Sequence, residues 1–265
     1  PICGSDKAPF LSLTPMRTMG HEGSGIVVAV DQSSLLKVGD RVVLNPLSGC
    51  GECAYCRTGN YIYCRNKPPY YTHFAQYVLV DDHVCTKLPD DIDYDIGSLA
   101  CCALGPAFSA MKRLDVKAFD NVLITGLGPV GMGNLTIAKF LGARVIAVES
   151  VPFRVQMAKE LGADVVLDPM DPDILEKIRE AQGPAPLLKA VDASGNSAAE
   201  RLCIDAVEPL GKVCCCGENH KEIPICISDD FGYLALQYQR FPGNVCAASP
   251  LAQCSQAHYG YLWIL

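Results

Sequence analysis

From residue 116 to residue 217, short apolar runs alternate with amphipathic ones in a regular order. The residues of the run 122–125 (Val-Leu-Ile-Thr) are all apolar or β-branched, the pattern of a short buried strand. A helix-like run follows at 132–141, then strand 144–149, helix 152–161, strand 164–167, helix 172–181, strand 190–193, helix 197–207 and strand 211–216. Alternation of this kind predicts an α/β fold with a doubly wound parallel sheet. Before residue 116 the period differs. Runs at 25–30, 41–44, 75–80 and 84–88 are short and alternating, and turn pairs such as Gly39-Asp40 and Asp81-Asp82 separate them. They predict a small, β-rich, partly open barrel, with an acidic link at 89–95 and a helix over 96–112 leading out of it. The domain boundary is therefore placed near Val116, giving units 1–115 and 116–250, and 251–265 is a mixed aromatic and polar tail with no assignment.

Composition narrows the partners. The chain has 265 residues, enough for two modest cores. A net charge of −7 and a pI near 5.2, without a lysine or arginine cluster, argue against nucleic acid and anionic membranes and for a small ligand. The most apolar run, 97–111, is interrupted by Gly105 and Pro106 and is too short to cross a bilayer, and no basic-then-apolar leader opens the chain. A soluble, cytoplasmic protein is expected. The 15 cysteines are an odd count and cannot all pair, and their clustering favours metal binding plus buried thiols in a reducing compartment.

Two local patterns carry chemistry. Cys50, Cys53, Cys56 and Cys64 stand at CxxCxxCx7C in a glycine-bearing lobe, 48–66, and four thiolates close a tetrahedral shell around Zn²⁺ with no open position. Such a site is structural. Gly126, Gly128 and Gly131 stand at GxGxxG between the 122–125 strand and the next helix, with Pro129 and Val130 inside the turn. Bare backbone there admits a pyrophosphate to the positive end of the helix, although a glycine-rich turn can also be purely structural. Glu149 ends the next strand, where a carboxylate accepts both ribose hydroxyls of an adenosine and repels a 2′-phosphate, so NAD is expected over NADP.

Taken in order, Cys3-Gly-Ser-Asp6, Gly20-His-Glu22, Gly39-Asp-Arg-Val42, the four-cysteine lobe and Gly126-Leu-Gly-Pro-Val-Gly131 resemble the zinc-dependent medium-chain alcohol and polyol dehydrogenase family. The resemblance runs from residue 2 to about residue 217. It implies a GroES-like barrel domain before a Rossmann domain, both incomplete here, because relatives usually have strands before the first motif and a longer C-terminal segment. It also implies a catalytic zinc held by Cys3, His21 and Cys102, with Cys101 the less well placed neighbour, and thus two Zn²⁺ per chain. Glu22 would lie beside that metal, Asp6 would orient the ligating imidazole, and Ser5 would take the proton from the substrate. Where relatives continue the relay with a polar group, this chain has Lys7-Ala8. Arg154 resembles the basic residue that covers the adenine, and Pro106 stands where relatives carry Thr or Val behind the nicotinamide.

The resemblance therefore implies hydride transfer from a small alcohol or polyol to NAD, giving an aldehyde or ketone, by a dimer or tetramer. The competing expectation is a catalytically silent, truncated homologue that binds nucleotide and the structural zinc. A zinc-free quinone reductase relative is opposed by Cys3, His21 and the four-cysteine lobe together. Cys214, Cys215 and Cys216 read as packing thiols on a central strand, and His73, His83, His220 and His258 have no ligand-spaced partner.

Overall fold

The computed structural model describes residues 2–11, 19–31, 33, 35–67, 73–219 and 221–223, and the backbone of two strands at 236–241 and 259–264. The chain divides into two compact units, one running to Cys102 and a second beginning at Ala103.

The first unit holds a three-stranded antiparallel sheet, β1 (Gly23–Ile26), β2 (Arg41–Leu44) and β3 (Cys85–Lys87), with β2 in the middle. Gly23 faces Leu44 on one side of β2, and Leu44 faces Cys85 on the other. As the central strand, β2 buries both Val42 and Val43. Arg41 closes its start: the guanidinium donates to the carbonyls of Pro89 (2.8 Å) and Ile92 (2.6 Å) and stacks 4.7 Å from the Tyr94 ring. That fixes the acidic link ahead of helix α3 (Tyr94–Cys102), which packs on β1 and β2. Helix α1 (Gly4–Leu11) precedes the sheet, and α2 (Ala54–Arg57) sits in the four-cysteine lobe.

Two expectations need correction here. Among the described residues the alternating run 75–80 joins no ladder, and Tyr77 and Leu79 stand 76% and 92% exposed, so the three-stranded sheet does not include that run. Alternation states which face a strand would show, but a strand exists only where a partner accepts its hydrogen bonds. The helix expected over 96–112 is two helices, α3 and α4 (Leu104–Arg113), with a break at Ala103. Pro106 supplies the reason: it has no N–H, and its ring would strike the carbonyl of Cys102 in an unbroken helix.

The second unit follows the predicted order closely. Strands β4 (Asn121–Thr125), β5 (Arg144–Val148), β6 (Val165–Leu167), β7 (Lys189–Asp192) and β8 (Lys212–Cys215) are parallel, in spatial order β6-β5-β4-β7-β8. Helices α5 (Pro129–Phe140), α6 (Pro152–Glu160), α7 (Ile174–Gln182) and α8 (Ser197–Ala206) connect them. Two further strands, β9 (Leu236–Phe241) and β10 (Tyr259–Ile264), extend the sheet, with β10 antiparallel to β8 at Trp263 opposite Cys214. The unassigned tail thus contributes a strand.

The continuous apolar strands are explained by burial on both faces. Val122, Ile124, Val145, Val191 and Cys214 enter one cluster with Met111 of α4 and Leu135 of α5. Their neighbours Leu123, Ile146, Ala190, Val213 and Cys215 enter the other with Ile178 of α7 and Cys203 of α8. Because α4 packs on α5 through Ala110 and Met111, the unit begins at Ala103 and not near Val116. Among the described residues no helix is long and apolar enough to cross a membrane.

Phe119, in the turn before β4, has φ 71° and is 88% exposed, so it bears left-handed strain without burying its ring. Phe119→Gly should raise the unfolding free energy by about 0.5–1 kcal/mol, the strain relieved less the entropy of glycine. Urea denaturation checks this, and a loss of stability would show that the ring makes a stabilising contact.

Candidate metal centres and dinucleotide turn

Cys3 immediately precedes α1, and Asp6 lies in the first turn of that helix. The buried Asp6 carboxylate accepts the amides of Cys3 (2.9 Å) and Gly20 (3.2 Å), and it lies 3.5 Å from His21 Nδ1. One side chain therefore joins two segments distant in sequence and turns the other imidazole nitrogen, Nε2, toward Cys102 at the end of α3, 3.4 Å away. Cys3 Sγ and Cys102 Sγ are 3.7 Å apart. Donor atoms of Cys3, His21, Glu22 and Cys102 all lie within 4.8 Å of one another. Cys101, by contrast, donates its thiol to the Leu44 carbonyl at 2.8 Å. Ser5 lies between Cys3 and Asp6 with its hydroxyl buried.

Electrostatics in this pocket favour a cation. The hydrogen bond from the Cys102 thiol, helped by His21 and Ser5 against the opposing effect of burial, pushes Cys3 down to about 3, and the shared proton drives Cys102 up. Burial works against a charge on His21, yet the Cys3 thiolate, Asp6 and Glu22 outweigh it and raise its pKa. Glu22 is raised chiefly by burial, and its Oε2 is buried with no hydrogen-bond partner among the described residues. The donor set fits zinc. Zn–S bonds of about 2.3 Å at tetrahedral angles place two sulfurs about 3.8 Å apart, and the orphaned carboxylate oxygen is a further hard donor at hand.

The second cluster is local. Cys53 precedes α2, the buried Cys56 lies within it, and Cys64 follows a short 3-10 turn at Tyr61–Tyr63. Cys50, Cys53, Cys56 and Cys64 place their sulfurs within 4.8 Å of one another, with Cys53 and Cys56 at 3.5 Å. The Cys50 amide donates to Cys64 Sγ at 3.4 Å and holds that thiol below its usual range. Backbone passes beneath the thiols at Gly49, where a Cβ would lie 2.4 Å from Cys56 Sγ. All four sulfurs fit one closed tetrahedral shell. His83 serves this lobe, 5.6 Å from the Tyr61 ring and 3.4 Å from Ser48 Oγ. His73 is held neutral, down to about 4, by burial and by the nearby His21. His220 and His258 lie outside the described residues.

In the second unit each glycine of the Gly126–Gly131 turn has its own geometry. Gly126 has φ +77° and closes the turn, a Cβ on Gly131 would strike the Gly126 carbonyl at 1.9 Å, and one on Gly128 would enter open space. Tight turn, open approach and close helix packing are the three conditions of a pyrophosphate cradle, so the residues fit a dinucleotide. Pro129 begins α5, and Val130 and Gly131 follow in its first turn, where amides have no acceptor within the helix.

Glu149 holds this turn. Its Oε2 accepts the Leu127 amide at 2.8 Å, and its Oε1 accepts those of Ser150 (2.8 Å) and Val151 (2.9 Å). Burial opposes ionisation, but these amides and Arg154, 3.6 Å away, leave the carboxyl below its usual range. Three of about four acceptor directions are thus engaged by backbone. The side chain braces the turn as well as offering an acceptor to a ribose.

The sequence pattern did not single out Asp192, the last residue of β7, although it is fully buried and accepts from Thr125, Ser194 and Gly195. A charged residue directly after the apolar pair Ala190-Val191 was the available signal. Cys214 and Cys215 are buried on β8, and Cys216 Sγ lies 3.6 Å from Cys214 Sγ.

Paired metal-type clusters before a doubly wound sheet define a zinc-type dehydrogenase, and comparison with known proteins agrees. Residues 2–90 match the alcohol dehydrogenase GroES-like domain, and residues 129–248 match the zinc-binding dehydrogenase family. A zinc-type alcohol dehydrogenase-like protein of Escherichia coli is 35% identical over 250 residues, 83% of this chain and 68% of that protein. Sorbitol dehydrogenase of Bombyx mori is 32% identical, covering 86% and 70%. The crystal structure of benzyl alcohol dehydrogenase from Acinetobacter calcoaceticus superimposes with a TM-score of 0.77 at 28% identity, over 86% of this chain and 70% of that one. The chain belongs to the zinc-dependent medium-chain dehydrogenase family and spans about two thirds of the length of these relatives.

Asp6→Asn should weaken zinc at the Cys3, His21 and Cys102 cluster by about 10–100-fold and leave the four-thiol cluster loaded. Competitive chelator titration separates the two, and an equal loss at both would count against an orienting role for Asp6. Glu149 makes a pH-dependent prediction. Its folded pKa is lowered from the ordinary 4.5, so its contribution is present above that value and lost as pH falls through the folded pKa. Glu149→Gln should cost about 1–3 kcal/mol near pH 7, with the gap closing in acid. Urea unfolding from neutral to acid pH tests it, and a pH-independent gap would refute the assignment.

Proposed function

We propose that this chain is a zinc-dependent, NAD-linked dehydrogenase that oxidises a small alcohol or polyol to an aldehyde or ketone. The observation that carries this reading is the convergence of Cys3, His21 and Cys102, from three separate segments, with Glu22 beside them. Three protein ligands leave a fourth position for substrate, whereas the four-thiol lobe leaves none. Bound there, zinc supplies a Lewis acid that lowers the pKa of a hydroxyl at that position, and NAD supplies the hydride acceptor.

The chain's own residues do the rest. Asp6 fixes the imidazole so that Nε2 points at the metal position. Glu22, with one buried oxygen unpartnered among the described residues, would offer a further carboxylate donor beside the metal position. Ser5 receives the substrate proton next to Cys3, and with Lys7-Ala8 following, solvent carries it onward. On the nucleotide side, Gly126, Gly128, Pro129, Val130 and Gly131 form the pyrophosphate turn, Glu149 selects NAD over NADP, and Arg154 covers the adenine.

The purified chain should hold two zinc ions and reduce NAD with an alcohol or polyol substrate. Cys3→Ser and His21→Ala should each leave one zinc and lower turnover by about a hundredfold or more, the scale on which misplacement of a reacting group acts. Metal analysis by mass spectrometry together with NADH absorbance reads both. One zinc and no turnover by the unsubstituted chain, with NAD still bound, would replace this reading by that of a silent nucleotide-binding homologue.

A further inference from the structure

Strand order in the second unit reverses between β4 and β7: the chain passes from β4 to β5 and β6 on one side, then to β7 and β8 on the other. Ligands of such sheets bind outside the carboxyl ends of the strands at that switch point. The last residues of the two strands are Thr125 and Asp192, paired in register and both fully buried. Thr125 Oγ1 donates to Asp192 Oδ1 at 2.7 Å. The same oxygen accepts Ser194 N (3.1 Å) and Ser194 Oγ (2.6 Å), and Oδ2 accepts Gly195 N (3.0 Å). The Asp192 main-chain carbonyl accepts the amides of Cys216 and Gly217 after β8. A Cβ on Gly126 would strike Ser194, and one on Gly217 would come 2.7 Å from Asp192 Oδ2. The carboxylate therefore lies under the turns that form the crevice floor.

Asp192 accepts from four donors, with no cation paired to it among the described residues. The neighbouring Glu200 is also buried, raised in pKa mainly by that burial and further by the charge of Asp192, and it hydrogen-bonds Asn219. A neutral acceptor could tie the same turns without the cost of burying a charge. Glu149 marks the adenosine side, over β5, so the other mononucleotide falls on the β7 and β8 side that Asp192 ends. Oxidised and reduced dinucleotides differ there by one positive charge on the nicotinamide ring, and a fixed charge in a low-dielectric site acts on that difference.

We propose that Asp192 is a specificity-determining residue that biases the crevice toward the oxidised, cationic nicotinamide over the reduced, neutral one. This rests on the dinucleotide reading given above. The test is the ratio of NAD and NADH dissociation constants, measured by calorimetry on the zinc-loaded chain, for the unsubstituted protein and for Asp192→Asn, Asp192→Ser and Asp192→Glu. In the Asn and Ser variants the ratio should move about tenfold against NAD. In Asp192→Glu, which keeps the charge, the ratio should hold even where both affinities fall. Circular dichroism identifies the neutral variants that fold, and either one suffices. A ratio unchanged within about twofold in a folded neutral variant reduces Asp192 to a clamp and overturns the inference while leaving the dinucleotide reading intact. Failure of the unsubstituted chain to bind either form overturns both.

Discussion

A buried carboxylate is tolerated only where donors converge on it, and three of them hold the turns on which the sites of this protein stand. Asp6, Glu149 and Asp192 are 6%, 7% and 0% exposed. Asp6 gathers the amides of Cys3 and Gly20, Glu149 those of Leu127, Ser150 and Val151, and Asp192 those of Ser194 and Gly195. In each case the charge sits where the backbone enters a helix or leaves a strand and nearby amides have no regular acceptor. A turn held this way is rigid because its release would strand both a charge and several donors. Cys3, His21 and the glycine turn take their positions from these anchors.

The two thiol clusters illustrate different ways of bringing metal-type donors together. In the 48–66 lobe all four cysteines are close in sequence, and one short helix and one turn bring them together. The other cluster draws on the residue before α1, the two residues before β1 and the end of α3, so it exists only when the first unit is folded. Proline enters here too: Pro106 forces α3 to end, and the end of α3 is where Cys102 stands. A helix continuing through that point would have been good secondary structure and a different site.

Legibility differed between the two units for a physical reason. Parallel strands covered on both faces are largely apolar, so β4, β5, β7 and β8 announce themselves and the helices between them follow within three residues. In the first unit the sheet is small and antiparallel, and the alternation at 75–80 has the pattern of a strand although it joins no ladder among the described residues. The strand at Tyr259–Ile264 shows the reverse case: its sequence carries no clear period, and pairing with β8 makes it a strand.

Taken by itself, the sequence determined what is local: the fold class of the nucleotide half, the four-cysteine lobe, the glycine turn and Glu149 near it. Resemblance added Cys3, His21 and Cys102 as a set, because spacing cannot relate residues so far apart. Only the tertiary structure decided that those three donors and Glu22 share one pocket, that Cys101 turns away to Leu44, and that Asp192 lies beneath the switch point of the sheet. Periodicity and spacing are written in neighbouring residues, whereas the partner of a buried charge or thiol is chosen by packing between segments that meet only in the folded chain.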